Sequence, residues 1–173
     1  GYIIVSSSWV IFSIVGSLPF VISGAIPSIT DAFFETMSGF TTTGATILND
    51  IEAMPHGLLF WRSMTQWLGG MGVIVLTITV LPLLGSGGIN LFKAESPGPT
   101  ADRLTPRFQD TAKLLWGVYS GLTLIETVLL YMSGLSFYSA LNHSLTTLST
   151  GGFSVLNTSV SEMTQSAKWV III

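Results

Sequence analysis

Long apolar stretches alternate with short polar segments along this chain, and this alternation predicts helices embedded in a membrane. Residues 2–26 carry no charge, and about 20 apolar residues are enough to cross the hydrocarbon core of a bilayer. Two further stretches, 58–84 and 112–133, are long enough to do the same, and 167–173 begins another. We therefore expect three complete spanning helices and the start of a fourth, with Pro19 as a kink in the first.

Two other apolar runs are too short to cross a membrane. The predicted helix 31–40 has Ser28 or Thr30 as a cap for its amino end, and Asp31 complements the helix dipole there. A second short helix is predicted for 136–149. Because about ten residues of helix rise only ~15 Å, each of these helices is expected to enter the membrane and turn back.

A polar segment rich in glycine and threonine follows each short helix, 41–46 after the first and 150–154 after the second. Backbone left unpaired in lipid costs several kcal/mol per group, so such a segment must be buried in protein or line water. If it lines water, its carbonyl and hydroxyl oxygens can bind a dehydrated cation. The negative carboxyl end of the preceding helix favours that cation. The alternative is a glycine-threonine turn that binds no ion.

The residues expected to bind the ion are the central ones of each polar segment. Glycine reaches backbone angles that turn a carbonyl group toward a pore axis. Oxygen ligands alone suit a hard, weakly hydrated monovalent cation. The predicted ion-binding residues are Thr42, Thr43, Gly44, Ala45, Ser149, Thr150, Gly151 and Gly152.

A unit of span, short helix, polar segment and span occurs twice. An offset of 107 residues places Gly44 on Gly151. Both units enter the membrane in the same direction, so the sequence predicts tandem parallel repeats, 1–85 and 112–173, unlike the inverted repeats of many transporters. A ring of carbonyl groups needs about four such segments. The two present here would form half of a pore, and the chain is expected to be a fragment.

The connection between the two units, 86–111, is the one long polar stretch. Together with Lys113 it holds four of the six basic residues, which predicts a cytoplasmic location. The loop 49–57 then lies on the outer side. Its acidic residues Asp50 and Glu52 are expected either to raise the cation concentration at the mouth of a pore or simply to be solvated.

Composition agrees with a membrane protein. The chain is 49% hydrophobic and 9% charged, with a mean hydropathy of +0.67, whereas soluble proteins average about 25% charged residues. The absence of Cys excludes thiolate metal sites, and no phosphate-binding loop or nucleophilic serine motif is present. The sequence therefore does not favour an enzyme, and neither an organic cofactor nor a nucleic-acid partner is expected.

Two charged residues lie a turn or more inside the predicted spans. Arg62 is one turn inside its span, where it is expected to extend to the membrane interface or to pair with Glu35 on the first short helix. Glu126 lies in mid-span, where a charge is costly, so it is expected to be paired, protonated or turned inward. Nearby, Gly117 and Gly121 form a Gly-x-x-x-Gly pattern that is typical of helix packing.

Four motifs of this chain together resemble a known family. They are Thr41-Thr42-Thr43-Gly44-Ala45-Thr46, Trp67-Leu68-Gly69-Gly70-Met71-Gly72, Glu95-Ser96-Pro97-Gly98-Pro99 and Ser149-Thr150-Gly151-Gly152-Phe153-Ser154. The chain resembles the Trk/Ktr/HKT superfamily of potassium transporters, and within it the bacterial TrkH-type membrane subunits. The resemblance covers essentially the whole chain, which corresponds to the first two of that family's four pore repeats.

This resemblance implies an all-α integral membrane fold of potassium-channel type, with pseudo-fourfold symmetry in the full chain. It implies potassium as the transported ion, Gly44 and Gly151 as filter glycines, and the bacterial inner membrane as the location. The implied partners are the lipid bilayer, a second copy in a homodimer and a cytoplasmic nucleotide-binding regulatory subunit of TrkA type. Two other functions stay open: potassium transport coupled to sodium or protons, with Glu126 as the coupling group, and a membrane scaffold that conducts nothing.

Overall fold

The computed structural model of the protein describes residues 2–84 and 104–172, with side chains for 6–72 and 110–172. Regular secondary structure in these ranges is helical, as the sequence predicts, and no described residue is in a β-strand. The helices in these ranges are α1 (Tyr2–Ile22), α2 (Ile29–Phe40), α3 (His56–Leu84), α4 (Leu104–Met132), α5 (Phe137–Leu148) and α6 (Gln165–Ile172).

The two short helices, α2 and α5, have the same length and the same kind of cap. Each has 12 residues, which at ~1.5 Å per residue is well short of the ~30 Å hydrocarbon core. The Ser28 hydroxyl accepts the N–H of Asp31 at 3.3 Å, and the Ser136 hydroxyl accepts that of Ser139 at 3.2 Å. Such a cap stabilises a helix by about 1 kcal/mol.

Both short helices also end in the same turn. An N–H beyond the helix donates to a carbonyl five residues earlier at 2.9 Å, from Thr43 to Ser38 and from Gly151 to Thr146. The residue before each donor, Thr42 or Thr150, has a φ of 53° or 54°. Glycine normally occupies that left-handed position, and a β-branched residue there is an outlier. The backbone is therefore strained at the same point in both turns.

These turns set the offset between the two units at 108 residues rather than 107. The offset of 108 relates Ser28 to Ser136 and relates the left-handed threonines to each other. The next residue with positive φ is Gly44 (75°) in the first unit and Gly152 (78°) in the second. The predicted pairing of Gly44 with Gly151 is therefore wrong.

The offset varies along the chain because the connections differ in length. Gly24 (φ 74°) and Gly134 (φ 98°) follow the ends of α1 and α4, and they are 110 residues apart. The connection from Gly24 to Ser28 is two residues longer than that from Gly134 to Ser136. The turn at Gly24 also ends α1 at Ile22, before the predicted bound at residue 26. One offset between the two units, chosen from matching residue types, therefore cannot be correct along the whole chain.

Helix α4 begins inside the predicted linker 86–111. It starts at Leu104, so residues 104–111 are helical rather than an irregular connection. Pro106 does not prevent this, because it lies in the first turn, where a backbone N–H has no helical partner. Residues 85–103, which contain the rest of that linker and the proline-rich motif, lie outside the described residues.

Helix α3 lies against the carboxyl ends of both short helices, and two consecutive glycines allow this. A Cβ atom added to Gly69 would collide with the carbonyl oxygen of Phe40, at the end of α2. A Cβ added to Gly70 would lie 2.8 Å from the hydroxyl oxygen of Tyr119 and 2.9 Å from the Cβ of Ser149, which follows α5. Side chains at these two positions would push α3 away from the polar segments.

Apolar residues from both units share one buried cluster. Its members come from α1, the following turn, α2, the loop before α3, α3 itself and the chain after the second polar segment. Burial of a large aliphatic or aromatic side chain contributes about 1.5–3 kcal/mol, so this cluster ties the two units together. The buried residues are Phe20, Ile26, Ala32, Met54, Leu59 and Val155.

Within the described residues, Asp110–Met132 forms a helix long and apolar enough to cross a membrane, and Ser6–Ile22 is a shorter apolar helix. No described residue would meet a Cβ added to Gly117 or Gly121, so the Gly-x-x-x-Gly pattern packs against nothing in the described part of the chain. Large apolar side chains on this helix are exposed, among them Leu114, Val118, Leu122, Leu124, Ile125 and Val128.

Candidate functional site

The two polar segments, 41–46 and 150–154, lie against each other beside the carboxyl ends of α2 and α5. A Cβ atom added to Gly44 would collide with the carbonyl oxygen of Gly151. The positive φ of Gly44 also disfavours any other residue. The segments form no regular strand, so their carbonyl groups are not paired in a sheet. The structure thus brings predicted ion-binding residues of both segments together.

The predicted ion-binding residues differ in exposure. In the first segment Thr43 and Ala45 are exposed, whereas Thr42 and Gly44 are half-buried. In the second segment the exposed and buried positions alternate, with Thr150 and Gly152 exposed and Gly151 and Phe153 buried.

The hydroxyl groups of Ser149 and Thr43 are both hydrogen-bonded within the protein, Ser149 to its own helix and Thr43 to the hydroxyl of Thr41 at 2.8 Å. Ser149 is buried just after α5 and donates to the carbonyl oxygens of Leu145 and Thr146, each at 3.0 Å. The side chain therefore closes the end of the helix. Its proton is thereby committed, so a cation could use only the lone pairs of this hydroxyl oxygen or the backbone carbonyl of Ser149.

A buried glutamate on α2 holds the end of the first segment. Both carboxylate oxygens of Glu35 accept from the hydroxyl of Thr46, at 2.8 and 3.0 Å. One of them also accepts the N–H of Ile47 at 3.0 Å. Because Glu35 is buried in the helix that carries the segment, it fixes where that segment ends.

A histidine on α5 does the same for the second segment. His143 Nδ1 lies 2.9 Å from the carbonyl oxygen of Ser139 and therefore carries the proton. Nε2 is then an acceptor, and it lies 3.1 Å from the hydroxyl of Ser154. Sequence reasoning assigned no role to His143. The offset of 108 would have revealed it, because this offset places Glu35 on His143 and Thr46 on Ser154.

Arg62 on α3 pairs with Glu35, the second of the two roles considered for it. The side chain is only 2% exposed, so it does not extend to the membrane interface. Its Nε donates to Glu35 Oε1 at 2.6 Å, and Nη1 donates to the carbonyl oxygen of Ser154 at 2.9 Å. The guanidinium carbon lies 3.5 Å from the ring centre of Phe153, within range of a cation–π interaction.

Gln66, one turn after Arg62, supports the second segment from behind. Its Oε1 accepts the N–H of Phe153 at 3.1 Å, and its amide group lies where a Cβ of Gly151 would be. The side chain is fully buried, and its Nε2 has no hydrogen-bond partner among the described residues. Sequence reasoning did not identify Gln66, because a lone glutamine in an apolar helix gives no signal before its neighbours are known.

The acidic residues of the loop 49–57 are hydrogen-bonded to the second unit. Asp50 Oδ1 accepts from the side-chain amide of Asn157 at 2.9 Å, and Glu52 Oε1 accepts the backbone N–H of Asn157 at 3.0 Å. The Asn157 side chain accepts the N–H of Ile51 at 2.6 Å. The hydrogen bond from Asn157 lowers the pKa of the Asp50 carboxyl group. Both carboxylates therefore join the loops of the two units.

Glu126 is the other acidic residue of interest in the described helices. It is 8% exposed on α4, on the side that faces Thr147 of α5. Neither carboxylate oxygen has a well-formed hydrogen bond to the described part of the chain. The side chain of Glu126 is turned inward, which is one of the three arrangements expected from the sequence.

The described residues contain no group of three or more His, Cys, Asp or Glu side chains that could hold a metal ion.

Short helices that end on glycine- and threonine-rich segments, packed among longer apolar helices, define a membrane transport protein. The chain belongs to the TrkH family, whose model is described as "Cation transport protein" and matches residues 1–173. The resemblance seen in the motifs is thereby confirmed. The family consists of transporters and not of enzymes.

Several curated proteins and solved structures are similar to this chain. The Trk system potassium uptake protein TrkH of Salmonella typhimurium is 47% identical over 92% of this chain and 34% of its own length. The corresponding TrkG of Escherichia coli is 42% identical over 92% of this chain and 33% of its own length. The crystal structure of the potassium transporter TrkH from Vibrio parahaemolyticus matches with a TM-score of 0.84 and 38% identity, over 99% of this chain and 34% of that chain. The chain therefore spans about a third of the length of these relatives.

Proposed function

We propose that this chain forms part of the membrane subunit of a Trk-type system and conducts potassium ions into the cell. The observation that carries the proposal is the contact between Gly44 and the carbonyl of Gly151. It brings two oxygen-rich segments together at the carboxyl ends of two short helices. The relatives named above are potassium uptake proteins, which supports potassium as the ion.

In this proposal the ion loses its water shell between the two segments. Carbonyl oxygens of 42–45 and 149–152, with the exposed hydroxyls of Thr43 and Thr150, replace the water oxygens. Each preceding helix adds about half a negative charge at its carboxyl end, which stabilises a dehydrated cation. Transport is passive and follows the gradient of the ion. Potassium is the transported substrate, and the mechanism uses no organic cofactor.

The full-length protein has, in this proposal, four units of which the two described here are the first pair. The relatives are about three times as long as this chain, which leaves room for two more units around the same axis. The linker 86–111 is cytoplasmic, and the loops joined by Asp50 and Asn157 are on the outer side of the bacterial inner membrane. A homodimer with a cytoplasmic nucleotide-binding subunit of TrkA type completes the assembly, as the resemblance implies.

The experiment that tests the proposal compares the Gly44→Ser variant with the wild type in the full-length transporter. Potassium-starved cells carrying either form are given rubidium, as a potassium tracer, together with increasing sodium. We expect lower selectivity for rubidium over sodium at equal protein level in the membrane. Gly57→Ser is the matched control, because nothing lies within 4 Å of an added Cβ there. Unchanged uptake and selectivity in Gly44→Ser would contradict the proposal and favour a non-conducting scaffold.

The alternative is transport coupled to protons or sodium, and the buried carboxylate of Glu126 favours it most. An acidic group held inside a transmembrane helix without a strong partner is a typical proton-coupling site. Glu126→Gln keeps the size of the side chain and removes its titration. If potassium uptake depends on the proton gradient and this dependence is lost in Glu126→Gln, coupled transport replaces passive conduction. Unchanged ion dependence supports the passive mechanism.

A further inference from the structure

The guanidinium group of Arg62 connects the two polar segments through an unbroken series of short contacts. The Glu35 carboxylate accepts from Thr46 and Ile47 at the end of the first segment. The same carboxylate accepts from Arg62, which donates in turn to the carbonyl of Ser154 at the end of the second segment. Every contact in this series is 3.0 Å or shorter. The ends of both segments are therefore held at a distance that one guanidinium group sets.

The buried ion pair of Arg62 and Glu35 is better explained by its effect on the positions of the polar segments than by a contribution to stability. A buried ion pair often contributes no more to stability than well-packed apolar residues of the same size. A guanidinium group is planar, and its N–H groups point in fixed directions. Arg62 uses two of these directions for partners that belong to different units, Glu35 and Ser154. The ring of Phe153 below the guanidinium plane restricts its tilt.

The described residues of the second unit contain no such buried ion pair. His143 occupies the position of Glu35, and its side-chain hydrogen bonds to described residues go to Ser139 of its own helix and to Ser154. Within the residues with described side chains, the pair of Arg62 and Glu35 is the one buried salt bridge. The ion pair of Arg62 and Glu35 therefore joins the two units, whereas the hydrogen bonds of His143 stay within the second unit.

We infer that Arg62 is a positioning residue for ion selection, which fixes the spacing between the two polar segments through Glu35 and the carbonyl of Ser154. This inference rests on the proposed function. Discrimination between potassium and sodium depends on how well the ligand oxygens match the size of the dehydrated ion, or on their number and flexibility. Both depend on the spacing of the segments that carry the oxygens. A substitution that removes the guanidinium geometry should therefore change the selectivity between potassium and sodium even when the protein still inserts and conducts ions.

The test uses the full-length transporter with Arg62→Lys and Glu35→Gln, reconstituted in lipid vesicles. Arg62→Lys keeps the charge and removes the planar fork, and Glu35→Gln keeps the shape and removes the charge. Rubidium uptake and sodium uptake are measured separately and divided by the amount of inserted protein. A weakened hydrogen bond to a charged group should lower the rubidium-to-sodium ratio roughly tenfold in Arg62→Lys.

The matched control is Ser63→Ala, next to Arg62 on the same helix. Ser63 is also buried, and its hydroxyl donates only to Leu59 of its own helix. This variant should keep the wild-type ion ratio even if less protein is inserted. A purely structural role for Arg62 would lower both ion fluxes in proportion and leave their ratio unchanged, which would overturn the inference.

Other outcomes also decide the question. If Arg62→Lys inserts poorly, the ratio measured for Glu35→Gln takes its place, because that variant breaks the same series of contacts. A wild-type ratio in Glu35→Gln would then contradict the inference. If Gly44→Ser alters selectivity while both Arg62→Lys and Glu35→Gln retain the wild-type ratio, the inference fails and the proposed function stands. If Gly44→Ser retains wild-type uptake and selectivity, the proposed function fails.

Discussion

Glu35 on α2 and His143 on α5 hold the same place in the two units, and each contacts the hydroxyl group of the residue eleven positions later. The distances are 2.8 Å from Glu35 to Thr46 and 3.1 Å from His143 to Ser154. A carboxylate and a neutral imidazole are chemically different, but both are hydrogen-bond acceptors here. The function that is common to both positions is therefore to fix the end of the polar segment.

Removal of the Ser154 hydroxyl should destabilise the protein. In Ser154→Ala, the acceptor Nε2 of His143 and the N–H of Leu156 both lose their partner. Buried polar groups left unsatisfied cost about 1–3 kcal/mol. We expect a lower thermal midpoint for the full-length protein in detergent, measured by the loss of soluble, unaggregated protein on heating.

The matched variant in the first unit is Thr46→Val, which has nearly the same shape. Glu35 keeps two other partners there, the side chain of Arg62 and the N–H of Ile47. The expected loss is therefore smaller, about 1 kcal/mol. A larger loss in Thr46→Val than in Ser154→Ala would show that the two positions do not act alike.

Alanine at Gly44 and at Gly152, the glycines of positive φ in the two polar segments, should have unequal effects. Gly152→Ala has open space around the added Cβ, so its cost is that of the left-handed backbone, about 1–2 kcal/mol. Gly44→Ala has the same backbone cost and also collides with the carbonyl of Gly151. We expect the thermal midpoint to fall further in Gly44→Ala. Gly57→Ala should be near wild type, and equal losses at Gly44 and Gly152 would contradict the close contact.

Glycine in place of Thr150 should stabilise the protein. Thr150 has a φ of 54°, and the left-handed conformation costs a non-glycine residue about 1–2 kcal/mol. The greater flexibility of glycine in the unfolded chain offsets part of this gain, so a net gain of roughly 0.5–1 kcal/mol is expected. Thr147→Gly, inside α5, is the control and should lower the thermal midpoint. A loss of stability in both variants would exclude strain at Thr150.

Asp50 should make a pH-dependent contribution to stability. The hydrogen bond from Asn157 lowers the pKa of Asp50 below its ordinary value of 3.8, so folding favours the ionised carboxylate. A carboxyl group whose pKa is lower in the folded state than in the unfolded state stabilises the fold at pH values above its unfolded pKa. This stabilisation is lost as the pH falls through the folded pKa. The difference in thermal midpoint between wild type and Asp50→Asn should be constant near neutral pH and shrink below pH 3.8. A difference that does not change with pH would contradict this link.

Much of the fold was predictable because it depends on local patterns. The lengths of the apolar runs predicted which helices are long and which are short, and the capping role considered for Ser28 is the one observed. The two glycine- and threonine-rich segments could also be located, since no spanning helix tolerates such a composition. The start of α4 at Leu104 was not predicted, because a proline in a first turn looks the same in sequence as a proline that ends a helix.

The sequence by itself determined the helical class, the short helices and the segments that follow them, because these depend on hydropathy, helix length and caps within a few neighbouring residues. Only the tertiary structure decided that the units are related by 108 residues, that Gly44 lies against Gly151, and that Arg62 joins the two segments. Those relations connect residues up to 107 positions apart. Their physical reason is burial: a guanidinium or carboxylate group inside the protein must find partners, and the packed helices alone determine which ones are within reach.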